Sequence, residues 1–281
     1  MVDGGDGIAV MQAHRPLSSE SRRHAEEALN EPTGEARAAA LAKFTDEVTD
    51  AVGAEAARQF EWAILATLRQ SKWDGEGALR RMKALCEFAR RHAEYFEAAD
   101  AEQFRAIAAI GLTSHLPTRT AKNELVMLID GQKLRAFATA YTMRDMLRYS
   151  VFYMSLLLAD ETTQVHGAII LENLQDYPIF ALNTMKGMGP SGMRASFEWL
   201  GASPLRLRGL YACKQPWYVA VMLALVKPFM SRKLKERTHL YGEDTATMLA
   251  EAGLQPEQVP PEYGGTLQGF DPAWFIARAE K

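Results

Sequence analysis

The chain has 281 residues, 48% of them hydrophobic and 24% charged, and a formal net charge of −3. That length and apolar content support a sizeable core and exclude a wholly disordered chain. The slight acidity excludes a protein built around nucleic acid, which needs a strong basic excess. Two cysteines, Cys86 and Cys213, lie inside apolar-patterned segments and read as buried reduced thiols, not a disulfide framework.

Met1 to Met11 carries Asp3, Asp6 and three glycines, with no basic start leading into an apolar core, so it does not read as a signal peptide. Leu17-Ser18-Ser19-Glu20 supplies a cap for a helix over 22–29, which Pro32-Thr33-Gly34 breaks. A second helix is predicted over 35–51 and a third over 55–70, with Phe60, Ile64, Leu65 and Leu68 on one face. Asp74 reads as the cap of a helix over 78–95 that turns Leu79, Met82, Leu85, Cys86 and Phe88 inward and a run of Arg and Lys outward. No strand pattern precedes residue 100. Residues 1–100 therefore read as a small helical domain and 101–281 as a second domain, with the boundary near 97–121.

Beyond residue 122 the texture changes. Strands are predicted over 125–129, 167–171, 205–213 and 238–241, with helices over 142–160, 178–200 and 216–230 between them. Such alternation predicts an α/β fold with a mostly parallel sheet covered by helices. Thirteen methionines suit irregular apolar cavities, although most read as core filler.

The most informative segment follows Pro216. Residues 217–226 are nonpolar all round, and a helix of that kind is buried on every face or spends part of its life against lipid. At 11 residues, the run from Pro216 to Val226 is about half the ~20 a membrane span needs. Residues 206–241 hold eight Lys or Arg and one acid, Glu236, in a chain that is otherwise acidic. Such a segment suits reversible docking on an anionic membrane. At about 1 kcal/mol per basic residue, Arg206, Arg208, Lys233 and Arg237 would together contribute ~4 kcal/mol. The alternative is a buried helix with ordinary solvated charges at its ends.

Lys227-Pro228-Phe229-Met230-Ser231-Arg232-Lys233-Leu234-Lys235-Glu236-Arg237, then His239 and Gly242, and finally Pro260-Pro261-Glu262-Tyr263-Gly264-Gly265 resemble, in order and spacing, the C-terminal half of CRAL-TRIO lipid-binding domains. Gly167-Ala168-Ile169-Ile170-Leu171-Glu172-Asn173 is similar to the central strand of the branch that holds the cellular retinaldehyde-binding protein. Pro204-Leu205-Arg206-Leu207-Arg208-Gly209 resembles the strand before the mobile gate of the α-tocopherol transfer protein. Ile64-Leu65-Ala66-Thr67-Leu68-Arg69 through Lys72-Trp73-Asp74 looks like the family's N-terminal helical motif. The likeness covers roughly residues 55–270. It departs at Ala66, Thr67, Gln70 and Ser71, where relatives are more basic and aromatic, and Ser71 stands where some relatives use an arginine on phosphoinositide.

The resemblance implies a sheet that floors a lipid cavity and a gate helix, with Trp217, Tyr218, Val221 and Leu225, that closes it. It implies a cavity lined by Leu147, Ser150, Met154, Ala168, Ile170, Glu172, Leu210, Val219, Met222, Leu223 and Val226. It assigns Arg206, Arg208, Lys233 and Arg237 to a phosphoinositide-binding cleft beside the gate. Periodicity agrees: 147, 150 and 154 share a helix face, and 168, 170 and 172 a strand face. Glu172, if it points into an apolar pocket, is protonated or paired. It then meets a hydroxyl or carbonyl of the ligand, or else a cation at the strand end.

Enzyme motifs are missing. Gly187-Met188-Gly189-Pro190-Ser191-Gly192 lacks the Lys-Ser/Thr of a phosphate loop, and no Gly-x-Ser-x-Gly elbow occurs. His14, His24, His92, His115, His166 and His239 lack metal-ligand spacing. Cys213-Lys214-Gln215-Pro216 makes no phosphate nest. The expectation is a cytoplasmic, monomeric, non-enzymatic carrier of a retinoid, tocopherol or similar isoprenoid, reversibly membrane-associated. It needs no cofactor beyond the bound lipid. The alternatives are a phosphatidylinositol/phosphatidylcholine exchanger and a phosphoinositide-sensing adaptor.

Overall fold

The computed structural model of the chain describes residues 17–97, 101–177, 186–187, 189–230 and 232–279. Helices come first. α1 (Ser19–Leu29) opens on the Ser18 hydroxyl, which accepts from the Ser21 amide at 3.1 Å, and closes on Asn30 in the left-handed region. α2 (Gly34–Val52) follows the Pro32-Thr33 break. The single helix expected over 55–70 is two, α3 (Ala54–Gln59) and α4 (Glu61–Gln70). The break falls at Phe60, whose buried ring meets Phe96 edge-on at 5.5 Å, so packing of one aromatic overrides local helical propensity. α5 (Gly75–Arg91) starts after Asp74, but that side chain makes no capping hydrogen bond. Its carboxylate lies over Gly77 instead, where a Cβ would collide with it. α5 ends at Arg91 and a 3-10 turn, Ala93–Tyr95, follows.

After α6 (Ala101–Ile110) come five strands in one sheet: β1 (Thr113–Arg119), β2 (Leu125–Asp130), β3 (Ala168–Asn173), β4 (Leu207–Cys213) and β5 (Thr238–Leu240). They lie in the order β1-β2-β3-β4-β5, the first pair antiparallel and the rest parallel. β1 has no counterpart in the sequence reading. It carries Pro117, which removes a ladder donor and is tolerated only because this strand lies at the sheet's edge. The crossovers run through α7 (Leu134–Ala140), α8 (Met143–Leu158) and α9 (Glu161–His166); then α10 (Pro190–Ala202); then α11 (Val219–Val226) and α12 (Arg232–Glu236). α8 begins in a capping box of Thr142 and Asp145. The helix expected over 178–200 is described only as α10, opened by Gly189 and Pro190; residues 178–185 and 188 lie outside the described residues. α13 (Thr245–Ala252) and α14 (Trp274–Ala279) complete the chain.

Strand alternation splits the core in two. Leu125, Met127, Ala168 and Ile170 face α8, α10 and the N-terminal helices in one continuous apolar cluster. Val126, Leu128, Ile169, Leu171 and Cys213 face α13, Val259 and Tyr263. The Pro260-to-Gly265 motif closes this second layer: a Cβ on Gly265 would collide with the Val259 carbonyl. The helical segment and the sheet are also tied by Arg69, which is fully buried. Its guanidinium donates to Glu31 at 2.7 Å, Glu161 at 2.7 Å and Gln164 at 2.8 Å, joining α4 to the α1–α2 turn and to α9.

Candidate functional site

The site grows from the way β4 joins β3. Gly167 holds φ +83°, and a Cβ there would collide with the Arg206 carbonyl, so glycine permits β3 to start against that backbone. Ala168 pairs with Leu207 and Ile169 with Gly209, which leaves Arg208 as an extra residue in a bulge. Arg206 and Arg208, two apart, face one cleft, and the bulge brings Leu207 and Leu210, three apart, onto the first core.

That cleft, about 490 Å³, is lined by Gln70 and Lys72, by Arg81, by Phe197, Leu200 and Gly201, by residues 205–208, and by Lys233, Leu234 and Arg237. Six of these are cations and none is acidic. Arg208 pairs with Glu124 at 3.3 Å. Arg206 donates to the Val165 carbonyl and Arg237 to the Leu207 carbonyl. Neither has a carboxylate partner among the described residues, nor do Lys72, Arg81 and Lys233. Burial and the neighbouring Arg208 and Arg237 bring Arg206 down to about 10. Uncompensated cations crowded this way favour a bound anion.

The sheet's inner face beside the cleft carries the other half of the site. Glu172 pairs in register with Ile129 and Ala212, and Ala212 packs beneath Val219 and Tyr218. Glu172 is half-buried and makes no hydrogen bond or ion pair with any described residue. Burial raises its carboxyl to about 7, and the neighbouring phenol of Tyr177 is raised by burial and then by Glu172. No cation at the strand end pairs with it among the described residues, so the structure presents an open carboxyl under α11 where a salt bridge was the alternative.

α11 divides its apolar surface. Val219 is 8% exposed against Leu174 and Ala212, and Leu223 is half-buried. Trp217 is 79% and Val221 57% exposed, with Ala220 and Ala224 on the same open stripe. Tyr218 donates its hydroxyl to the Tyr177 carbonyl, which ties the start of α11 to the segment after β3. The side chains of Met222, Leu225 and Val226 fall outside the described residues.

Of the other expected lining residues, Leu147, Met154, Ala168 and Ile170 lie together in the first core, with Leu210 packed on it. The Ser150 hydroxyl accepts from Trp199 Nε1 at 2.9 Å, which ties α8 to α10. Sequence reasoning missed Lys72, Arg81 and Tyr177. The outward Arg/Lys run of α5 was legible, but which of its members turns toward β4 depends on packing. Ser71 lies in an adjoining cleft of about 470 Å³ with Lys72, Arg80 and Arg81, its hydroxyl buried without a partner.

A family model described as the CRAL/TRIO domain matches residues 115–265. The chain is 26% identical over 211 residues to Clavesin-1 of Rattus norvegicus, a match that covers 74% of this chain and 58% of the relative. It is 29% identical over 132 residues to Clavesin-2 of Homo sapiens, covering 47% of this chain and 39% of that one. The chain thus spans less than two thirds of the length of these relatives. Among solved structures, Sfh5 matches with a TM-score of 0.52 and 9% identity over 95% of this chain and 99% of the other, a likeness of fold alone. The span matched by the family model holds β4, α11 and α12 but not Lys72 or Arg81.

Proposed function

Since this chain belongs to the CRAL/TRIO family of lipid-binding domains, we propose that it holds one hydrophobic lipid between the sheet's inner face and α11 and carries it between membranes. The observation that carries this reading is the two-sidedness of α11: Val219 closes over the sheet while Trp217 and Val221 stand in solvent, and the chain runs on into basic α12. An exposed tryptophan beside clustered cations suits docking on anionic lipid. A lipid loses about 0.8 kcal/mol for each CH₂ it exposes to water, so exchange needs a gate that opens against the bilayer. On this reading the protein is a monomeric, cytoplasmic carrier that docks reversibly, and it performs no chemistry on its cargo. Glu172, whose carboxyl burial raises to about 7, meets a hydroxyl or carbonyl of that cargo in its protonated form.

Organic extraction of the purified protein, with an absorbance spectrum beforehand and mass spectrometry after, tests the proposal. One hydrophobic molecule per chain is expected, an isoprenoid for the carrier reading. The half-buried Glu172 also suits a phospholipid with polar groups deep in the pocket, and a bound phospholipid would assign the chain to exchange instead. Protein that is empty and takes up no lipid from vesicles refutes both and leaves the phosphoinositide-sensing adaptor.

A further inference from the structure

α1 lies against the junction of α9 and β3. Its apolar side, Ala25 and Leu29 with the preceding Leu17, packs on Val165. Beside that contact stand two histidines: His24 of α1 stacks on His166, the last residue of α9, with ring centroids 4.7 Å and planes 18° apart. His166 is buried; its Nε2 meets the buried Ser21 hydroxyl at 3.0 Å, and its ring donates to the Lys122 carbonyl. Cations face the pair from three other elements: Arg119 of β1, Lys122 of the turn before β2, and Arg206 and Arg208 where β4 begins. Arg119 is taken up by Asp160 and Arg208 by Glu124, whereas Arg206 has no carboxylate partner among the described residues. α1 itself adds Arg23 and two acids, Glu20 and Glu27, exposed about one turn to either side of His24. Glu161, at the far end of α9, is held by Arg69. Burial first, then the other ring and the arginines, bring His166 down to about 4, and burial with Arg206 and Arg208 lowers His24.

We propose that the His24–His166 stack is an acid-released latch, which fastens α1 to α9 while both rings are neutral and lets α1 lift from the start of β3 when they take up protons. Neutral imidazoles pack face to face at this distance, whereas two imidazolium rings among four cations of the neighbouring elements repel one another and their surroundings. A proton on Nε2 also reverses the bond with the Ser21 hydroxyl. The sign follows from the lowered values. Once α1 has lifted, the rings regain the ordinary 6.5 and bind protons more readily than in the closed form. The closed form is therefore at full strength above about pH 6.5 and is lost as pH falls below it. For His166 alone, opening is favoured about twentyfold more at pH 5 than at pH 7. The packing of Ala25 and Leu29 on Val165 keeps α1 closed at neutral pH. Opening uncovers Val165 and the step from His166 to Gly167, where φ +83° turns the chain into β3.

Hydrogen exchange of the full chain at pH 7 and pH 5, each corrected for the intrinsic rate, compares α1 with α13, which packs on the second core. In wild type, α1 should lose protection relative to α13 by about twentyfold between the two pH values. His24→Gln/His166→Gln carries side chains that do not titrate and should show the same α1 protection at both. A control, His239→Gln, removes an exposed imidazole from β5 and should behave as wild type. Wild-type α1 whose protection relative to α13 does not change with pH overturns the latch. So does a loss of equal size in the double variant, which would assign the effect to other groups. Should the double variant not fold, histidine-labelled NMR of wild type decides. Ring signals of His24 and His166 that shift below pH 6.5 together with loss of α1 protection support the latch, and rings that titrate while α1 stays protected overturn it.

Discussion

Glu172→Gln tests the interior in the most direct way. Glu172 sits on the inner face of β3 beneath α11, with no described partner, and burial raises its carboxyl from 4.5 to about 7. The folded state therefore holds a proton that the unfolded chain releases between about pH 4.5 and 7. Below that window the group is neutral in both states and costs nothing. As pH rises through it, stability is lost, reaching about 3 kcal/mol above pH ~7. The glutamine amide is the neutral isostere, so Glu172→Gln should match wild type near pH 4.5 and exceed it by about 3 kcal/mol near pH 8. Urea denaturation of both proteins across this range measures the difference, and other titrating groups, present in both, cancel. Equal stability near pH 8, or a difference that does not change with pH, refutes the account of Glu172 as an unpaired interior carboxyl. A ligand hydroxyl or carbonyl that accepts from the neutral carboxyl favours that form, so wild type loaded with cargo should lose stability over a wider pH range than the extracted protein.

Arg69→Met should cost about 3–5 kcal/mol in urea denaturation, because it leaves Glu31 and Glu161 without their shared buried cation. Burial opposes ionisation of Glu31, yet hydrogen bonds from Arg69 and Arg37 hold its carboxyl below the ordinary value, so this contribution is present above pH ~4.5 and is lost as pH falls below it; the variant should show a flatter acid limb. Tyr218→Phe removes the hydrogen bond from α11 to the Tyr177 carbonyl and should speed lipid exchange between vesicles severalfold, with little change in thermal midpoint; unchanged exchange would remove Tyr218 as a latch. Trp217→Ala/Val221→Ser should weaken vesicle binding tenfold or more while leaving stability within about 0.5 kcal/mol, since both side chains are exposed. Reversing charge with Lys233→Glu/Arg237→Glu should likewise weaken binding to phosphoinositide vesicles, and unchanged pelleting would remove the cleft from the docking surface.

The alternation of strands and helices after residue 122 was legible because each parallel strand is a short apolar run bounded by turn residues, and β2, β3 and β4 lie where that pattern puts them. β1 was not legible, since an edge strand with Pro117 and His115 lacks the apolar alternation that interior strands show. Phe60 broke a helix that periodicity alone would have continued, and Asp74 did not cap, because tertiary burial and the room left by Gly77 decided both. The basic residues around β4 could be picked out from their density, but their convergence with Lys233 and Arg237 depends on how β4 pairs with β3 beside Gly167 and with β5, features of register that composition does not encode.

The same register explains why α11 and the basic cleft lie side by side. Arg206, just before β4, and Arg208, at its start, reach the cleft, and Ala212 near its end reaches the floor beneath Val219, so one short segment serves both. The chain leaves it at Lys214 in the left-handed region, passes through α11, and returns in α12 with Lys233 and Arg237 facing the cleft. Any movement of α11 is thus constrained at both ends by segments that touch the anion site or the strand beneath it. On the proposed reading, an anion that draws Lys233 and Arg237 toward Arg206 acts on the segment that follows α11, whereas the Tyr218–Tyr177 hydrogen bond acts on the segment before it. If α11 is the proposed gate, it is held at two ends by different chemistry, so it can stay shut in water and yield at a surface that supplies both phosphates and an apolar phase for Trp217.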